Sequence, residues 1–85
     1  MSSFRFLIHP GETISDLMKA QGITQEELAQ RAGVPEAFLG EVIRGEKDVT
    51  EELATGLHHA HFAPKSFWLK LQANYDAERT SRPYV

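Results

Sequence analysis

Apolar residues recur at helical spacing in five separate runs. Ile14, Leu17 and Met18 mark the first face, and Leu28 with Ala32 the second. Leu39, Val42 and Ile43 mark the third. Leu53 and Leu57, with Ala54 and Ala60, mark the fourth. Phe67, Leu71 and Tyr75 fall at four-residue steps in the fifth, with Trp68 alongside. The residues between these runs are those that start and stop helices. Pro10 and Glu12 suit a first turn, and Gly22 suits a helix end. Ile23 can staple the next helix; Thr24 and Glu27 form a capping box. Gly33 marks a turn, and a new helix opens near Pro35. Thr50 is a cap, followed by Glu51 and Glu52 in the first turn. Phe62-Ala63-Pro64 is a break, and the last helix is expected over 65–78. The chain is therefore expected to be all-α, with five helices and no obligatory sheet.

The core expected from this pattern is Ile14, Leu17, Leu28, Leu39, Ile43, Leu53, Leu57 and Phe67. At about 1.5–3 kcal/mol per buried large side chain, such a set can offset the ordering entropy of a small domain. Trp68 and Tyr75 add aromatic surface, open to either of two uses: core or dimer interface.

The stretch 24–45, TQEELAQRAGVPEAFLGEVIRG, is the centre of the pattern. It reads as two short helices joined by a tight turn. With Gln25 as the first position, small Ala29 is the fifth, where the helices must approach, and Gly33 is the ninth. That is helix-turn-helix spacing, and such a unit offers its second helix to the DNA major groove. The competing reading of the same spacing is a plain helical hairpin.

Length and charge refine this picture. With 85 residues, one domain is expected: an N-terminal arm at 1–8, the helical domain at 9–79, and a loose tail at 80–85. Phe4, Phe6 and Ile8 alternate with Arg5 and Leu7 in the arm. No cysteine is present, which excludes disulfides and thiolate metal sites. No stretch reads as a membrane span or a leader, so a cytoplasmic location is expected. Lys and Arg number 9 against 12 for Asp and Glu, a formal net charge of −3. A DNA-binding reading then requires the basic residues to gather on one side. The acidic total also suits a second, basic partner.

Other chemistry finds little footing. His58, His59 and His61 cluster, with His9 as a fourth, but no third ligand of clear direction accompanies His58 and His61. No metal or cofactor is expected. No nucleophile elbow, phosphate loop or catalytic triad is recognisable, so no enzymatic activity is expected.

The markers His9-Pro10-Gly11-Glu12, the motif 25–45, Val49-Thr50 and above all the block FWLKLQANYD at 67–76 resemble the HigA family of plasmid-maintenance antitoxins. That family is a branch of the lambda-repressor-like helix-turn-helix proteins. The resemblance spans His9 to about Asp76. It implies a five-helix all-α domain and a homodimer that binds a palindromic double-stranded DNA operator and represses its own operon. It further implies a small basic toxin partner, an mRNA endonuclease. Where the family usually carries Ser, Arg, a polar residue, Thr and often Ser, this chain has Pro35, Glu36, Ala37, Phe38 and Gly40. Glu41 adds a second acid. Gln25, Arg44 and Lys47 are then expected to position the duplex, with Glu36, Ala37 and Glu41 facing the groove. The alternative is a protein-interaction module that has lost DNA affinity through its acidic and apolar second helix.

Overall fold

The structure, a computed structural model, describes residues 8–80. The expected arm at 1–8 and tail at 80–85 fall almost wholly outside them. The described residues form α1 (Pro10–Gln21), α2 (Gln25–Ala32), α3 (Glu36–Ile43), α4 (Glu51–His59) and α5 (Lys65–Thr80). None of these helices is long and apolar enough to cross a membrane.

Helix starts follow the local chemistry. Thr24 Oγ1 accepts from the Glu27 amide at 3.1 Å, and Thr50 Oγ1 from the Leu53 amide at 3.1 Å. The first helix is capped by a residue the sequence did not single out as a cap. His9 Nδ1 accepts from the Gly11 amide at 2.9 Å. Pro35 holds the start of α3 with no side-chain cap bond, because it carries no polar side chain.

The first four helices end in one way. The residue after the last helical turn is left-handed, and the next amide reaches back over the turn. Those amide bonds run from Ile23 to Met18, Val34 to Ala29, Glu46 to Glu41 and Phe62 to Leu57. Glycine fills the left-handed position in the first three; in α4 it is His61, at φ 65°. An L side chain is disfavoured there, and the His61 side chain is exposed. His61→Gly is therefore expected to stabilise the domain by about 1 kcal/mol. The urea midpoint checks this, and a lowered midpoint would contradict it.

The described hydrophobic core joins Ile14, Ile23, Leu28, Leu39, Val42, Val49, Leu53, Leu57, Phe62 and Trp68. Helix α4 packs against α2 and α5, while α1 packs against α3 and α5, and α2 against α3. Leu17 and Ile43, expected inside, are only partly buried at the edge of that core.

The fifth helix corrects the expected register. Phe67 is 41% exposed, whereas Trp68 is fully enclosed. The inner face runs through Trp68 and Gln72, one position further along than the 67, 71, 75 pattern. Trp68 Nε1 donates to the Phe62 carbonyl at 2.6 Å, satisfying the indole N–H inside the core. Phe62 itself, read as part of a break, is buried beneath the turn. Gln72 is the polar member of this face. Its Oε1 accepts from the Val49 amide at 2.8 Å and its Nε2 donates to Asp76 at 3.0 Å. The buried amide is thus paired, and it pins the segment between α3 and α4.

Candidate nucleic-acid interface

The turn between α2 and α3 brings two short helices together over Leu28, Ala29, Leu39 and Val42, all buried. Ala29 is small at the point of contact. Gly11 of α1 underlies α3 so closely that a Cβ there would collide with the Val42 carbonyl oxygen. The inner side of α3 is thereby fixed, and its outer side is left to solvent.

On that outer side Glu36 and Ala37 are exposed and Glu41 is half-buried. Phe38, one of the departures from the family pattern, is half-buried. It packs against the core and shares a hollow with Val34, Pro35, Thr50 and Glu52. Gln25 stands at the start of α2 with its Nε2 3.5 Å from the Glu36 carbonyl, a long contact. Arg44 closes α3 and is exposed. Its guanidinium is engaged by Glu46: Nε lies 3.2 Å from Oε2 and Nη2 3.3 Å from Oε1. The hydrogen bond from Glu46, and then its charge, hold the Arg44 guanidinium above its ordinary pKa; Glu41 adds a smaller push. Lys47 is exposed and enters no ion pair among the described residues.

The loop carrying Lys47 is held on one side by a hydrogen bond and approached on the other by His9, which makes none to it. His9 Nε2 lies 3.8 Å from Asp48 Oδ1, and the Val49 amide donates to Gln72. Gln25, Glu36, Ala37, Glu41, Arg44 and Lys47 thus lie on or flank one helix. Arg31, the remaining basic residue of the motif, is tied to Glu27 at 2.6 Å on the outer side of α2.

Trp68 and Tyr75 are not alike. Trp68, weighed as a dimer contact, has no exposed surface and belongs to its own subunit's core. Tyr75 is half-buried, its ring edge-on to His9 at 4.8 Å and beneath the Arg79 guanidinium at 5.0 Å. Among the described residues no three His, Asp or Glu side chains converge as a metal site would require. His58 and His59 stack edge to face at 5.7 Å.

Sequence reasoning missed Glu46. It occupies the position after the left-handed residue, where α1, α2 and α4 place Ile23, Val34 and Phe62. A polar residue where the end motif usually makes an apolar contact is the signal that was available.

A family model described as helix-turn-helix matches residues 14–60. The chain belongs to the helix-turn-helix family. It is 36% identical over 69 residues to virulence-associated protein A′ of Dichelobacter nodosus. That match covers 80% of this chain and 60% of that protein. Virulence-associated protein A of the same organism is 30% identical over 77 residues, covering 86% of this chain and 74% of that protein. Among solved structures, a candidate antidote protein of a plasmid maintenance system from Nostoc punctiforme superposes with a TM-score of 0.80. The two are 33% identical, with 86% of this chain and 80% of that chain covered. An addiction module antidote protein of a HigA family from Coxiella burnetii gives a TM-score of 0.77 at 25% identity, covering 94% and 100%. A Pseudomonas aeruginosa protein solved on its operator DNA shares the fold at 22% identity, with a TM-score of 0.75 and 92% and 95% covered. This helix-turn-helix chain therefore has the fold of the antidote proteins, in line with the resemblance carried by the FWLKLQANYD block.

Proposed function

We propose that this protein is a sequence-specific DNA-binding repressor, the antitoxin of a HigBA-type system, and that as a homodimer it represses its own operon. The carrying observation is the open outer side of α3, with Glu36, Ala37 and Glu41 on it and Gln25, Arg44 and Lys47 around it. The Pseudomonas aeruginosa protein of the same fold, bound to its operator DNA, supports this reading.

The chemistry divides the residues into two groups. Gln25, Arg44 and Lys47 are donors and suit phosphate oxygens, which fix register without reading sequence. Glu36 and Glu41 repel phosphate but accept from cytosine N4, while Ala37 suits a thymine methyl. In a twofold dimer each α3 would meet one half-site, about 34–36 Å from the next. The net charge of −3 suits a basic toxin, the mRNA endonuclease of such a system.

The Glu46 carboxylate beside Arg44 offsets the guanidinium charge and repels an approaching phosphate. Glu46→Gln, which removes the competing carboxylate, is expected to tighten DNA binding roughly tenfold at low salt. Fluorescence anisotropy on a labelled duplex measures it, and unchanged affinity would mean that Arg44 does not contact the backbone. The whole reading is tested by a gel-shift titration against the protein's own upstream region. A salt-sensitive shift is expected, and its absence at low salt would favour the protein-interaction alternative, which the acids of α3 support.

A further inference from the structure

Gly40 lies inside α3, where glycine weakens a helix. Gly11 shows what a structurally required glycine looks like in this fold: a Cβ there would strike the backbone of another helix. Gly40 is different. A Cβ built on it would have side-chain atoms, not the backbone of another helix, as its nearest neighbours. It would stand 2.8 Å from Gln25 Nε2 and 3.3 Å from Arg44 Nη1. Its neighbours are the mobile ends of two polar side chains, one from the start of α2 and one from the end of α3. Gly40 is nevertheless buried, because these two side chains cover it.

We infer that Gly40 is a positioning residue for DNA binding: it forms the notch in which the Gln25 carboxamide and the Arg44 guanidinium converge to grip the phosphate backbone. The inference rests on the DNA-binding reading above. The carboxamide N–H groups and the guanidinium carry donors in excess of those used by Glu36 and Glu46, so each keeps a donor for a phosphate oxygen. A phosphate held by donors from two helices is fixed relative to both, which sets how α3 lies in the groove. Glycine gives up helix stability at position 40, and the notch is what it provides in return.

A methyl group at position 40 would displace the Gln25 amide without touching the core. Gly40→Ala should therefore leave the thermal midpoint unchanged or raise it. It should also weaken binding to DNA. Three variants, Gly40→Ala, Gln25→Ala and the pair together, would be titrated beside the wild type. The probes are the protein's own upstream duplex and a mixed-sequence duplex of equal length, each at several salt concentrations. Gly40→Ala is expected to lose roughly three- to tenfold in affinity on both duplexes. Its salt slope should stay close to the wild-type value, because the Gln25 carboxamide is neutral and its phosphate contact releases no counterion. The double variant is expected to bind no more weakly than Gln25→Ala alone, because the methyl acts through Gln25.

Additive losses in the double variant, or a Gly40→Ala protein that binds with wild-type affinity, would overturn the inference while leaving DNA binding intact. A wild-type protein that binds neither duplex at low salt would overturn the DNA-binding reading and this inference with it. A Gly40→Ala protein with a lowered thermal midpoint would assign the glycine to packing and overturn the inference alone.

Discussion

Trp68→Ala is expected to cost about 3–5 kcal/mol of stability, enough to leave much of the protein unfolded near body temperature. The residue is fully enclosed, and it is the largest side chain in the described core. Its removal opens a cavity between α5 and the turn that holds Phe62. It also strips the Phe62 carbonyl of the indole donor that now sits 2.6 Å away. Trp68→Phe keeps most of the volume and loses the donor, so its cost should be smaller, about 1–3 kcal/mol. Urea denaturation followed by circular dichroism reads both variants without depending on the tryptophan signal. A loss below about 1 kcal/mol for Trp68→Ala would mean that α5 is an appendage rather than part of the fold.

Replacing Arg44 and Lys47 together with Ala is expected to lower affinity for a duplex roughly 10- to 100-fold at low salt. The slope of log affinity against log salt should fall by about two phosphate contacts. Both side chains are exposed, so the fold should be untouched and the circular dichroism spectrum unchanged. The loss should appear on unrelated duplexes as well as on the operator, since phosphate contacts carry no sequence information. An unchanged salt slope would place the DNA contacts elsewhere.

The elements were legible because the signals agreed with one another. Thr24 and Thr50 were readable as caps, and both cap. Gly22 and Gly33 were readable as stops, and both are left-handed. The apolar spacing placed Ile14, Leu28, Leu39, Leu53 and Leu57 inside, where they lie. Misreading began where neighbouring residues were equally apolar. Phe67 and Trp68 offer two adjacent faces, and spacing alone favoured Phe67. What decided the register was a bond between residues six apart, from the indole to the carbonyl of Phe62. Phe62 looked like part of a break because Pro64 follows it, yet a turn can bury a side chain while its backbone changes direction.

At the candidate interface the placement of these residues on or beside α3 was legible, but their contacts with one another were not. Spacing put Gln25, Arg44 and Lys47 near α3. It could not show that Arg44 is engaged by Glu46, because ion pairs between close residues depend on how the chain turns. Nor could it show why Gly40 is a glycine. That needs the positions of the Gln25 and Arg44 ends over the helix, which no one-dimensional pattern contains.

The most direct test of the account is binding of the intact protein to its own upstream region, against an unrelated duplex of equal length, across a salt series. The account predicts affinity that falls steeply with salt on both duplexes and stays higher on the upstream region throughout. Equal or undetectable affinity for the two at low salt would contradict it.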